Sequence, residues 1–187
     1  VNESEKSKII YTIGHSSRSL QDFIRLLQVY GVRLLCDVRV APGSRKFPQY
    51  NKDHLSNALR EVGIQYVHLR DLGGFRKPSE ASPNTGWLND SFRGYADYMM
   101  TDQFKQALDY LISMAEECTT AIMCSEALYW RCHRKLISDA LTVKGFKVRH
   151  ILHEEDAPVH TLTEFAHVQG DLLIYPEKVE HPKLPGF

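Results

Sequence analysis

Five short apolar runs constrain this chain more than any other feature, because the first four are each followed by a segment of helical spacing. Ile9 to Ile13 is β-branched and aromatic and ends at Gly14. A Ser-rich turn follows, and then Leu20, Phe23, Ile24 and Leu27 recur as one helix face does. Ser19, three residues ahead of Asp22, suits the N-cap, and Gly31 suits the stop. Val32 to Val38 is short and continuously apolar, as strands buried on both faces of a parallel sheet are. After a loop from Arg39 to Tyr50, Asn51 is placed to cap a second helix with Leu55, Ala58, Leu59 and Val62 inward. Gly63 ends it, and Ile64 to Leu69 is the third run.

A long loop at about 71–94, rich in Gly, Pro, Ser and Asn, breaks this rhythm; such loops form lids or binding segments. Helical spacing resumes from Tyr95 to Glu117 in two pieces broken near Thr101, with Phe104, Leu108, Leu111 and Met114 or Ala115 inward. Thr120 to Cys124 is the fourth strand. The next helix, Lys135 to Val143, presents Leu136, Ile137, Ala140 and Leu141 and stops at Gly145, before a fifth strand from Lys147 to Leu152. An irregular tail at about 154–187 carries a short helix near Thr163 to His167, an extended run from Leu172 to Tyr175 and a Pro-rich end. Repeated strand–helix units predict a single α/β domain over residues 1–187. Its mainly parallel five-stranded sheet carries helices on both faces as a Rossmann-like open sheet, with a partial β/α barrel as the alternative.

At 187 residues, folding buries roughly 70% of the unfolded chain's surface, enough for a core without disulfide staples. Cys36, Cys118, Cys124 and Cys132 show no short secreted-domain spacing, and no apolar leader opens the chain, so a reduced, cytoplasmic protein is expected. No apolar run approaches the ~20 residues that span a bilayer, so no membrane partner is expected. Lys and Arg total 23 and Asp and Glu total 23, a balance unlike that of a strongly basic nucleic-acid binder. A local basic patch remains open to Arg39, Arg45, Lys46, Arg131 and Arg134.

The densest chemistry runs from Cys124 to Arg134, where two thiols, a carboxylate, an imidazole and two guanidiniums share eleven residues at a strand-to-helix turn. Ligands of open α/β folds bind at such turns, beyond the carboxyl ends of the strands. The other strands deliver Gly14, His15 and Ser16, then Asp37 and Arg39, then Asp71, Gly73 and Gly74, and finally His153, Glu154 and Glu155 to the same rim. Cys124, near Arg131 and the following helix, is the expected nucleophile or redox thiol, with Cys132 competing for the role and inert burial as the alternative. Glu126, His15 and Asp37 are candidates for proton transfer, and Arg39, Arg131 and Arg134 for holding an anion. Asp37 and Arg39 could equally form a structural ion pair, and Glu126 could cap the helix or pair with Arg131. The turn at Gly14, Ser16 and Ser17 lacks both the Walker and the dinucleotide patterns.

Two labels fail on spacing. Tyrosine phosphatases separate Cys and Arg by five residues, whereas six lie between Cys124 and Arg131. A zinc ion could recruit Cys124, Cys132 and His133, but neighbours on a helix diverge by about 100°, which argues against Cys132 and His133 sharing one ion. No metal site is therefore assigned, and the cofactor is left unspecified.

The chain resembles the domain of unknown function 488 family of bacteria and archaea. The likeness rests on Thr12-Ile13-Gly14-His15-Ser16, on Asp37-Val38-Arg39 with Pro42, Arg45, Pro48 and Asn51, and on Tyr66-Val67-His68-Leu69 with Leu72-Gly73-Gly74. It extends through Ser91 to Met99, the Cys124 to Arg134 segment, and a tail with His160, Leu162, Thr163 and Ala166. Ser125 stands where the family often has Ala. The resemblance implies an α/β domain and marks the same rim residues, Cys132, His133, Gly73, Gly74 and Tyr95 among them, without supplying a reaction.

Two functions fit these residues. One is an enzyme, a thiol-dependent hydrolase or transferase, acting on an anionic small molecule or nucleotide-like group under a cover formed by the Gly73-Gly74 loop and Phe92 to Tyr95. The other is a non-catalytic module that binds a nucleotide or single-stranded nucleic acid through Arg39, Arg45, Lys46, Phe47, Tyr50, Trp87, Trp130 and Arg131. The neutral net charge favours the enzyme with a small-molecule partner.

Overall fold

A computed structural model describes residues 8–177; the Pro-rich end expected after Tyr175 lies largely outside the described residues. Alternating strands and helices run β1 (Ile9–Gly14), α1 (Leu20–Val29), β2 (Leu34–Asp37), α2 (Lys52–Glu61), β3 (Gln65–His68), α3 (Asp90–Met99), α4 (Asp102–Glu117), β4 (Thr120–Cys124), α5 (Arg134–Val143) and β5 (Lys147–Ile151). The five strands form one parallel sheet in the order β3-β2-β4-β1-β5. It is an open sheet with β3 and β5 at its edges, so the Rossmann-like architecture is the one realised and the barrel is not.

Local chemistry sets these boundaries. Ser19 accepts from the Asp22 N–H at the start of α1, and Thr101 accepts from the Phe104 N–H where the long helical stretch breaks into α3 and α4. Leu34, Leu35 and Cys36 are buried because β2 lies inside the sheet, whereas β3 is an edge and stays half exposed. Asn51 precedes α2 with extended backbone but caps nothing there, since its side chain accepts from the Ser44 N–H and ties down the preceding loop. Val62 is 39% exposed, outside the inward face expected of it, because α2 ends one residue earlier.

Phe23, Leu27, Leu55 and Leu59 of α1 and α2 pack on one face of the sheet, and Phe104, Leu108, Leu111, Leu136 and Ile137 of α4 and α5 on the other. Burial of each such side chain stabilises the fold by about 1.5–3 kcal/mol relative to exposure.

The tail departs from expectation. In place of a helix over Thr163 to His167, the chain turns and forms an antiparallel hairpin of β6 (His167–Gln169) and β7 (Leu172–Ile174). Asp139 of α5 draws Thr163 away from helical geometry by accepting from both its N–H and its hydroxyl. The same carboxylate receives Tyr175 Oη at 2.9 Å and is bonded to His160 Nε2 at 2.8 Å. His160 continues to His150 at 3.0 Å, and His150 to Thr12 at 2.8 Å, so one buried chain of bonds joins tail, α5 and β1. Residues near Val159 also bridge β5, covering part of that edge.

Asp139→Ala strands His160, Thr163 and Tyr175 without their acceptor. A loss on the order of 3 kcal/mol is expected, read as the change in urea unfolding free energy; a loss below about 1 kcal/mol contradicts this account.

Candidate functional site

The sheet's winding locates the site. From β1 the chain crosses to β2 by way of α1 on one face, and from β4 to β5 by way of α5 on the other, although β1 and β4 are neighbours. A crevice opens where such connections diverge. Pairing continues past the strand ends, with His15 N–H donating to the Cys124 carbonyl at 3.0 Å and Ser16 N–H to the Ser125 carbonyl at 2.9 Å. Gly14 is required here, because a Cβ would stand 1.9 Å from the Glu126 carbonyl oxygen.

The resulting cleft has a volume of about 970 Å³. Of the residues expected on the rim, His15, Arg39, Gly74, Cys124, Glu126, Arg131, Cys132 and His133 line it. Lys46, Phe47, Phe75 and Phe92 contribute further wall. Among the described residues, the two non-glycine positions with positive φ, Ser16 at 48° and Phe75 at 59°, are both on this cleft. Strained backbone of this kind concentrates where geometry serves a site.

Other expected residues take different places. Asp37 is fully buried below the floor, bonded through both oxygens to the Arg39 guanidinium and receiving Tyr66 Oη at 2.6 Å. That is the structural ion pair, and it fixes Arg39 beside His15. Tyr95 is buried, donates to the Leu72 carbonyl at 2.7 Å and packs beneath the His133 ring. Gly73 packs tightly on Val40 and the Arg70 carbonyl, while a Cβ at Gly74 would lie 3.0 Å from His133 Nδ1. Arg134 is buried behind the cleft, where it donates to the Glu126 carbonyl and lies 3.4 Å from Thr12 Oγ1. His153, Glu154 and Glu155 line a separate hollow with Arg18 and Arg25, so the rim divides in two.

Burial holds the His15 imidazole down to about 4, far below its ordinary range, and the neighbouring Arg39 charge adds to the effect. His15 stacks on Tyr50 at 4.1 Å, with Nδ1 2.9 Å from the Ser16 carbonyl and Nε2 3.3 Å from Arg39. A neutral ring donating from Nδ1 and accepting at Nε2 satisfies both bonds. His15 is therefore engaged in holding Arg39, and no free nitrogen is left for proton transfer in this geometry. The Glu126 carboxylate accepts from the Leu128 N–H, and it faces the cleft without forming an ion pair with Arg131 among the described residues.

Cys124 and Cys132 are both buried where they border the cleft. A hydrogen bond from Cys124 pulls the Cys132 thiol down to about 6, and the Arg134 charge and N–H assist against burial. The same bond, with burial, pushes the Cys124 thiol well up. Burial raises both thiols, and the Arg134 charge opposes it at each. α5 begins at Arg134, whose N–H and guanidinium act on Cys132 and whose charge lowers Cys124 as well.

The spacing objection to a shared ion is also overturned. Cys132 is extended (φ −130°, ψ 149°) and His133 stands outside the helix as its cap, so the two side chains do not diverge as helical neighbours do. Sγ of Cys132 and Nδ1 of His133 lie 3.6 Å apart, and both atoms together with Cys124 Sγ fall within 4.8 Å of one another. Phe75 went unmarked in the sequence reading. Its signal was a large apolar side chain directly after Gly73-Gly74, at the head of the mostly polar run that ends at Gly86.

The fold is an open parallel α/β sheet with a cleft at its switch point, the place where ligands of such folds bind. The model of the family described as Domain of unknown function DUF488 matches residues 19–141, and the chain belongs to that family. No curated protein and no solved structure matches it significantly. No helix among the described residues is long and apolar enough to cross a membrane.

Burial also lowers His150, to about 3. Unfolded, both His15 and His150 take a proton near 6.5; folded, they resist it to about 4 and 3. Stability is therefore full above pH 6.5 and falls as pH drops below that value, by a few kcal/mol in all. Urea unfolding at pH 7 and pH 4.5, with histidine NMR titration, checks this. An imidazole signal of His15 titrating near 6.5 in the folded protein contradicts it.

Proposed function

We propose that this protein is an enzyme, a hydrolase or transferase, acting on an anionic small molecule or nucleotide-like group bound in the cleft between β1 and β4. The observation that carries the reading is the convergence of two kinds of group on one concave surface. Cys124, Cys132, His133 and Glu126 supply reactive atoms, while Arg131 and Lys46 supply positive charge that is exposed and unpaired with any carboxylate among the described residues. Arg39, held by Asp37, adds a fixed positive charge on the opposite wall.

In this reading Arg131 and Lys46 draw the anion in and hold it, with charge-assisted contacts that contribute about 1.5–3 kcal/mol each. Glu126 exchanges a proton with the reacting group, and the Cys124–Cys132–His133 cluster is the reacting centre. The loop carrying Gly74 and Phe75 covers the site. It is fastened rather than free, since Arg76 stacks on Tyr98 at 3.6 Å and Asn84 and Ser82 bond to Asp97 of α3.

The nucleic-acid reading keeps two of its four nominated aromatics in the open, Phe47 on the cleft and Trp130 at 47% exposure. Tyr50 is buried beneath His15, and Trp87 is stacked among Phe92, Phe165 and Tyr175. Phe47 alone of the nominated aromatics lines the cleft.

A panel of mononucleotides and phosphorylated or carboxylated small molecules tests the proposal. Wild type is expected to bind and convert one member. Arg131→Ala should weaken binding ~10- to 100-fold, and Glu126→Gln should stop turnover while leaving the melting temperature unchanged. Equal binding by wild type and Arg131→Ala, or undiminished turnover in Glu126→Gln, refutes it.

A further inference from the structure

We propose that Cys124 Sγ, Cys132 Sγ and His133 Nδ1 are three ligands of a tetrahedral divalent cation of the zinc class, whose fourth position opens on the cleft. The inference rests on the enzymatic reading above and specifies its reacting centre.

Four observations support it. The first is distance: bonds of ~2.3 Å to sulfur and ~2.0 Å to nitrogen at the tetrahedral angle place the two ligand atoms about 3.5 Å apart. Cys132 Sγ and His133 Nδ1 stand 3.6 Å apart, and the three ligand atoms lie within 4.8 Å of one another, so a modest contraction completes the set. The second is the imidazole's other nitrogen. His133 Nε2 faces the Val38 carbonyl at 3.3 Å, and an N–H donated there leaves the Nδ1 lone pair directed at the thiols. Metal-bound histidines are held in this way by a carbonyl or carboxylate behind them.

The third is access. Cys124, Cys132 and His133 all line the cleft, so a bound ion would have an exchangeable position, as catalytic zinc sites do and closed structural sites do not. The fourth is company: Glu126, two residues beyond Cys124, lines the same cleft and is not one of the three converging ligands. Two thiolates, one imidazole and a carboxylate outside the coordination shell form a donor set that hydrolytic zinc enzymes use on nucleobases.

The chemistry follows from these parts, with water as co-reactant. Metal-bound water gives its proton to the Glu126 carboxylate, and its oxygen forms a bond to the electrophilic carbon or phosphorus of the substrate. The bond to the leaving group breaks, its electron pair departs with that group, and the proton on Glu126 follows it.

Purified protein, metal-stripped and reduced, is titrated with Zn²⁺ against a chromophoric chelator and separately with Co²⁺. Stoichiometric binding is expected, with the intense absorption of thiolate-bound tetrahedral Co²⁺. Cys132→Ser and His133→Ala should each weaken Zn²⁺ binding at least ~10-fold and change the Co²⁺ spectrum. Glu126→Gln, which removes no ligand, should bind as wild type does and so separates ligand loss from misfolding. Binding below about a tenth of an equivalent in wild type overturns the site. So does a Co²⁺ spectrum without thiolate bands, or a Cys124–Cys132 disulfide that forms readily and accounts for the pairing. Metal binding is read without substrate. Its failure, with turnover still dependent on Cys132, removes the ion and leaves the enzyme, whereas stoichiometric zinc without turnover of any panel member does the reverse.

Discussion

The site depends on one buried positive charge. Arg134 is 1% exposed, and among the described residues no carboxylate pairs with it. An isolated buried guanidinium is costly, and the protein offsets that cost with neutral acceptors and with the Cys132 sulfur. The same guanidinium fastens the loop after β4 to β1, through the Glu126 carbonyl and Thr12. A single side chain therefore fixes the shape of the turn and lowers both of its cysteine thiols. Replacing a reactive thiol would alter chemistry; replacing Arg134 would alter chemistry and architecture together.

The facing wall follows a similar logic with opposite charge. Asp37, at the end of β2, holds Arg39 through both oxygens, and Arg39 in turn meets His15 on the turn after β1. Burial keeps His15 neutral, and it serves as an acceptor. One wall thus carries a buried cation behind two thiols, and the other a buried carboxylate behind a guanidinium.

Much of this was legible in the sequence. The rhythm of short apolar runs and helical faces marks all five parallel strands, and Thr101 signals the break between α3 and α4. The expected ends of β4 coincide with those observed. Legibility fails where a side chain's partner lies far along the chain. Asn51 reads as a cap yet bonds backward to Ser44, and Thr163 reads as helical yet is claimed by Asp139. Cys132 and His133 mislead for a subtler reason. Periodicity places them at the start of a helix, but Cys132 is extended while His133 is already helical, and that change of backbone between neighbours decides which atoms meet. Rim membership is read from strand polarity; burial is not, which is why Asp37, Tyr95 and Arg134 belong to the site's foundation and not its surface.

The position of β1 bears on what counts as the heritable unit of this fold. β1 lies between β4 and β5 and leads directly into His15 on the cleft, yet the family match begins at residue 19, and it ends at residue 141, before β5. The most recognisable stretch of sequence is thus a sheet missing an internal strand and an edge. Fused to another protein or excised at those limits, it would expose the backbone hydrogen-bonding groups of β4 along the side where β1 belongs. Boundaries drawn by sequence similarity mark where substitutions are most constrained, whereas boundaries drawn by hydrogen bonds mark what must travel together.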